Sequence, residues 1–177
     1  MNLQSSDFEL FGLPERFEQD RGAIDARWKE LQREAHPDRF AAQGQAAQRI
    51  AMQWSVRINE AYQRLKDPLR RAAYLCELRA APINAENNTA MSTQFLMEQM
   101  EWREALDEAG SAADLQALSE QLNAARVQTL ARAAELLDRQ RDAAAAAQQV
   151  RALMFIERFG QDVEARFDKL ETSPGRQ

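Results

Sequence analysis

The chain has 177 residues, 45% of them hydrophobic and 29% charged, with a formal net charge of −5. That balance excludes wholesale disorder, and no apolar run approaches the roughly 20 residues that a spanning helix needs. A single cysteine, Cys76, excludes an intramolecular disulfide and any Cys-rich metal site.

With only six Gly and five Pro, and with Ala, Gln, Glu, Leu and Arg dominant, the composition favours helix. The start, Met1-Asn2-Leu3-Gln4-Ser5, has no basic segment followed by an apolar one. We therefore expect no secretory signal and a cytoplasmic location. Charge is uneven: residues 1–80 hold 13 Lys/Arg against 12 Asp/Glu, and residues 81–177 hold 10 against 16. An acidic second half is a poor partner for nucleic acid, and the asymmetry suggests two units with different partners.

The first element, Asp7 to Leu13, is a short helical turn stopped by Gly12 and Pro14, with Phe8, Phe11 and Leu13 as core plugs. The second helix runs from about Asp20, a plausible N-cap, to Ala35. Ile24, Trp28, Leu31 and Ala35 share one face, so Lys29 and Arg33 point the other way. Exposed cations are usually solvation, and Glu30 and Glu34 are close enough to offset part of their field. Pro37 stops this helix, leaving His36, the one histidine, at an exposed bend with Pro37 and Asp38. As a bare tripeptide this is ordinary turn chemistry.

Phe40 to Gln45 reads as a loop. A third helix follows to Lys66, with Ile50, Trp54, Ile58, Ala61 and Leu65 on its core face. Met52 and Val56 lie off that face, free to pack on the first helix or on a second unit. Asp67-Pro68 ends or bends this third helix, and from Pro68 a further short helix resumes around Leu69, Ala72, Ala73, Leu75, Cys76 and Leu78, where the thiol reads as structural. Residues 80–90, with Pro82 and three asparagines, form the expected linker between units at 1–79 and 91–177.

Three helical patterns then predict an antiparallel bundle. They run from about Ser92 to Ala109, from a Ser111 cap to about Arg139, and from about Asp142 to Leu170. The tail Thr172 to Gln177 reads as frayed. In the first of these helices Phe95, Trp102, Leu106 and Ala109 account for the core, leaving Leu96, Met97 and Met100 unexplained beside Glu101 and Glu104. Phe155 flanks the core face of the last helix. Methionine suits an adaptable binding surface, although such residues can also widen a core. If they serve binding, truncating Leu96, Met97 and Phe155 should barely change stability.

Four motifs in order resemble a J-domain: Phe8-Glu9-Leu10-Phe11-Gly12-Leu13, the basic helix, His36-Pro37-Asp38, and Ile58-Asn59-Glu60-Ala61-Tyr62. The segment Phe95-Leu96-Met97-Glu98-Gln99-Met100-Glu101-Trp102-Arg103-Glu104 and the stretch Val150 to Ile156 narrow this to the HscB family of iron–sulfur co-chaperones. Ala35 and Arg39 depart from common J-domains, which more often carry an aromatic and a lysine there.

The resemblance implies an all-α fold, an N-terminal J-domain helical hairpin joined to a C-terminal antiparallel three-helix bundle. It implies that Lys29, Arg33, His36, Pro37 and Asp38 contact the DnaK-type chaperone HscA and stimulate its ATPase. By position, it implies that Leu96, Met97, Met100, Glu101, Glu104 and Phe155 hold the scaffold protein IscU. No cofactor, metal, nucleic acid or membrane partner is expected. Neither is a catalytic residue, since a hydrolase or transferase built on His36 and Asp38 would lack a nucleophile and a pocket. A J-domain adaptor with another client is the alternative.

Overall fold

A computed structural model of the chain describes residues 4–84 and 91–172. These hold seven α-helices and no strand: α1 (Asp7–Phe11), α2 (Arg21–Glu34), α3 (Gln45–Lys66), α4 (Pro68–Leu78), α5 (Thr93–Glu108), α6 (Ala112–Glu135) and α7 (Ala143–Thr172). The architecture is all-α, a J-domain hairpin joined to an antiparallel three-helix bundle. Residues 85–90 of the expected linker and 173–177 of the tail lie outside the described residues.

Local chemistry sets most helix ends. Ser6 and Glu9 form a reciprocal capping box on α1, and Gly12 closes it with a left-handed φ of 64°. Asp20 caps α2 by accepting from the Gly22 N–H, and Asp67 caps α4 ahead of Pro68. Ser111 and Asp114 form a second capping box on α6. Its far end widens into a π-helical turn, Leu136–Gln140, before Arg141 reverses the chain in the left-handed region.

Two apolar cores result. The first joins Phe8, Phe11, Ile24, Leu31, Ile58, Leu65 and Leu75. It continues through Leu136, Leu137, Ala147 and Val150, so the tip of the α6–α7 hairpin seals the J-domain beside α4. The second core lies at the other end of that hairpin, where α5 packs Trp102 with Leu115, Leu118, Ile156, Phe159 and Val163. Burial on this scale supplies the main stabilisation, since each filled aliphatic or aromatic side chain contributes about 1.5–3 kcal/mol.

Polar contacts fix the joint between the halves. Asp138 accepts the N–H of Phe17 at 2.6 Å and of Glu18 at 2.8 Å. From the other side, buried Arg71 donates to the Phe17 carbonyl at 2.7 Å and to the Leu65 carbonyl, and stacks over the Phe17 ring. Arg79 donates to the Leu137 carbonyl at 2.6 Å, and Arg151 to the Ile83 carbonyl at 3.0 Å. The α1–α2 loop is thus gripped by both halves.

Two expectations change. Residues Pro37–Gln43 form a 3-10 turn, so the connection is not simply loop. Ile50, expected in the core, is 57% exposed, because the hairpin partner ends before reaching it; Ala51 is buried there. Met52 and Val56, whose packing the sequence left open, are both exposed.

Candidate functional site

The tripeptide stands at the tip of the α2–α3 hairpin, and the hairpin is held by more than its core. On one flank Trp28 Nε1 donates to Asn59 Oδ1 at 2.9 Å, and Gln32 Nε2 donates to the same oxygen at 2.7 Å. The Ser55 hydroxyl donates to Gln32 Oε1, and Tyr62 donates to Asp25. Trp28 also stacks on Tyr62 at 4.6 Å. At the base, the Asp7 carboxylate is fully buried and ion-paired with Arg57 at 2.6 Å and Arg64 at 3.0 Å. Arg64 in turn lies 4.6 Å from the Tyr74 ring centroid, and the Tyr74 hydroxyl accepts the Asp7 N–H. A rigid hairpin thereby presents a short, exposed tip.

At that tip the His36 Nδ1 accepts the Asp38 N–H at 3.3 Å, making His36 the N-cap of the 3-10 turn. A neutral imidazole that accepts at Nδ1 keeps Nε2 as its donor. Asp38 Oδ2 is 3.6 Å from His36 Nδ1, and the two side chains are 58% and 90% exposed. The carboxylate is therefore available to an external cation or N–H. Arg39 folds back so that Nη1 reaches the Arg33 carbonyl at 3.3 Å, placing a cation at the end of α2. Lys29 and Arg33 are both exposed, while Arg27 is tied to Glu30 at 3.1 Å. The structure thus brings all five residues to the solvent side of α2 and its tip. Sequence reasoning missed the back-folding of Arg39 and the buried Asp7 pair, although Arg57 and Arg64 stand two helical turns apart on one face.

The second group sits on α5. Leu96 is 45%, Met97 58% and Met100 70% exposed, with Glu101 and Glu104 exposed beside them. Ser92 caps this helix by accepting the Phe95 N–H, which fixes where the face begins. Phe155 differs from the rest. It is half-buried within a ring cluster, 5.8 Å from Phe95 edge-on, 6.4 Å from Trp102 and 5.8 Å from Phe159. Arg103 covers it at 5.8 Å. The expectation that Phe155 is dispensable for stability does not survive this placement, because truncation would open the bundle core.

Cys76 is buried, as expected, and burial pushes its thiol up to about 11 despite Arg79 and Arg151 nearby. Among the described residues no group of His, Cys, Asp and Glu is arranged to hold a metal, and no helix is long and apolar enough to cross a membrane.

Comparisons with known proteins agree with this architecture. A family model described as the HSCB C-terminal oligomerisation domain matches residues 91–164. The co-chaperone protein HscB homolog of Burkholderia multivorans is 50% identical over 175 residues, covering 97% of this chain and 99% of its own. The chaperone HscB structure from Vibrio cholerae is 39% identical with a TM-score of 0.78, covering 94% of this chain and 99% of that one. The crystal structure of human co-chaperone protein HscB is 25% identical with a TM-score of 0.87, covering 94% and 84%. The match therefore runs through both halves and their joint, and the chain belongs to the HscB family of co-chaperones.

Proposed function

We propose that this chain is a co-chaperone of iron–sulfur protein maturation that couples a cargo to another protein's ATPase. It stimulates the DnaK-type chaperone HscA and delivers the scaffold IscU to it. His36-Pro37-Asp38 enters the chaperone contact, with Asp38 supplying a charge-assisted acceptor, Pro37 fixing the turn and His36 Nε2 donating. Lys29 and Arg33 steer the approach to an acidic surface, an effect that weakens with salt. Leu96, Met97 and Met100 form the apolar centre of the scaffold contact, Glu101 and Glu104 its acidic rim, and Phe155 supports it from α7. The chaperone unit spans 1–79 and the scaffold unit 91–177. ATP is hydrolysed on the chaperone, so no covalent step belongs to this chain.

The observation that carries the reading is the pairing of two unrelated exposed surfaces on one fixed frame. One is a polar tip pre-shaped by its own hydrogen bond, and the other is a methionine-rich helix face that no core explains. The test is to measure IscU binding and HscA turnover with the same variants. His36→Gln should lose stimulation and keep scaffold binding; the paired change Met97→Ala with Met100→Ala should do the reverse. Variants that lose both functions together, or neither, would count against two separate sites.

A further inference from the structure

The hairpin that presents the tripeptide is tied along one flank by a ladder of polar contacts in a fixed register. Arg21 on α2 donates to the Lys66 carbonyl of α3 at 3.2 Å. Asp25 accepts from the Tyr62 hydroxyl at 2.9 Å, and Trp28 donates to Asn59 at 2.9 Å. Gln32 then bonds to both Ser55 and Asn59. Each step of four, three and four residues up α2 is matched by the same step down α3. Steps of three and four stay on one helix face, so these contacts follow a single seam. The next step of four from Gln32 arrives at His36, and the ladder ends one rung short of the tripeptide.

Gln32 is the tie at that end, and its amide bonds at both atoms. Nε2 donates to the Ser55 carbonyl at 3.2 Å and to Asn59 Oδ1 at 2.7 Å, while Oε1 accepts the Ser55 hydroxyl at 2.8 Å. A backbone carbonyl can only accept, which assigns Nε2 to that side. Among the described residues, no side-chain hydrogen bond joins α2 to α3 nearer the tip. The next inward-facing residue is the C-cap Ala35, which is buried but contributes only a methyl. Gln32 is itself half-buried, so water can replace its partners and the fold at large depends little on it. Its bonds instead fix the direction of the last turn of α2.

We propose that Gln32 is a positioning residue for the chaperone contact. By clamping the last turn of α2 to α3, it holds His36-Pro37-Asp38 in the orientation that the chaperone engages. This rests on the reading that the tripeptide contacts the chaperone. Without the clamp the tip samples other orientations, and the chaperone binds only the competent fraction. The concentration needed for half-maximal stimulation then rises as that fraction falls, while saturation restores the maximum.

The test titrates full-length Gln32→Met against chaperone ATPase without scaffold protein, beside the parent, His36→Gln and Asp138→Ala. Methionine keeps the length and helix propensity of glutamine but has no N–H to donate. Gln32→Met should need at least about fivefold more protein for half-maximal stimulation, with its maximum and IscU affinity unchanged. Amide exchange should quicken at Ala35, whose N–H bonds to the Leu31 carbonyl at 2.9 Å. Ser55→Ala should weaken stimulation in the same way and add little to Gln32→Met, because the two share their bonds. Asp138→Ala weakens the fold away from the tip and should titrate like the parent, which separates positioning from stability. If Gln32→Met titrates within about twofold of the parent while His36→Gln has lost stimulation, Gln32 does not position the tip although the tripeptide reading stands. An equal shift in Asp138→Ala would also overturn the proposal, since lost stability would then be the cause. If His36→Gln stimulates like the parent, the proposal falls with the reading beneath it. Should Gln32→Met lose helicity, the same titration with Gln32→Ala decides.

Discussion

Asp138 accepts a hydrogen bond from the Phe17 N–H at 2.6 Å, across 121 residues of sequence. Its other oxygen takes the Glu18 N–H, so one carboxylate of the α6–α7 turn holds the α1–α2 loop of the J-domain. A charge-assisted pair of this kind orients the two halves as well as stabilising them. Asp138→Ala leaves two backbone donors without this acceptor and should lower unfolding free energy by about 1–3 kcal/mol. Urea unfolding of the full chain measures this, with far-UV circular dichroism expected to remain unchanged.

The Asp7 carboxylate should matter more. It is fully buried between Arg57 and Arg64, of which Arg64 is 40% exposed. Removing one partner of a buried pair typically costs about 3–5 kcal/mol. The partial solvation of Arg64 favours the lower end, so Asp7→Ala should cost about 3 kcal/mol. Thermal and denaturant unfolding test this, and a change below about 1 kcal/mol would mean that the pair contributes little.

The proposed scaffold residues should divide by stability. Met97→Ala and Met100→Ala alter exposed side chains and should stay within about 0.5 kcal/mol of the parent. Phe155→Ala opens a half-buried ring cluster and should cost about 2 kcal/mol, below the 3–5 typical of a fully buried ring. Unfolding curves of the three variants, read beside their IscU affinities, separate contact from support.

The Asp114 carboxyl lies below the usual aspartate range because the Ser111 hydroxyl, then the Gly110 and Ser111 N–H groups, bond to its charged form. A carboxylate with a depressed folded pKa stabilises the fold above its unfolded value, and that contribution disappears as pH falls through the folded one. Acid below about pH 4 should therefore fray the start of α6, and Asp114→Ala should flatten that part of the acid limb. Carboxyl NMR titration reads the pKa directly.

Cys76 offers a chemical check on the first core. With its thiol pushed up to about 11 by burial, almost no thiolate exists at neutral pH. Iodoacetamide should leave the native protein unmodified over hours at pH 7.5 and label it fully in denaturant. Rapid native labelling would mean that α4 opens readily.

What could be read from sequence was local. The helices and the caps at Asp20 and Ser111 follow from spacing and side-chain chemistry within four residues, whereas the caps at Ser6 and Asp67 came from the structure. The exposure of His36, Met97 and Met100 was legible for the same reason. Periodicity identifies a helix face but not what lies opposite it. Ile50 was misplaced because nothing in its own spacing reveals that α2 stops short. The contacts of Asp138 with Phe17 and of Asp7 with Arg57 join positions whose nearness only the folded chain creates. Phe155 combined both cases: its flank position was visible, and the ring stack holding it was not.

In the proposed function, the tripeptide couples cargo to another protein's ATP hydrolysis. ATP turnover by HscA, assayed with IscU and either the parent chain or His36→Gln, tests it most directly. Strong stimulation by the parent, loss of it with His36→Gln, and equal IscU affinity for both are expected. Undiminished stimulation by His36→Gln, with its helicity intact, would contradict it.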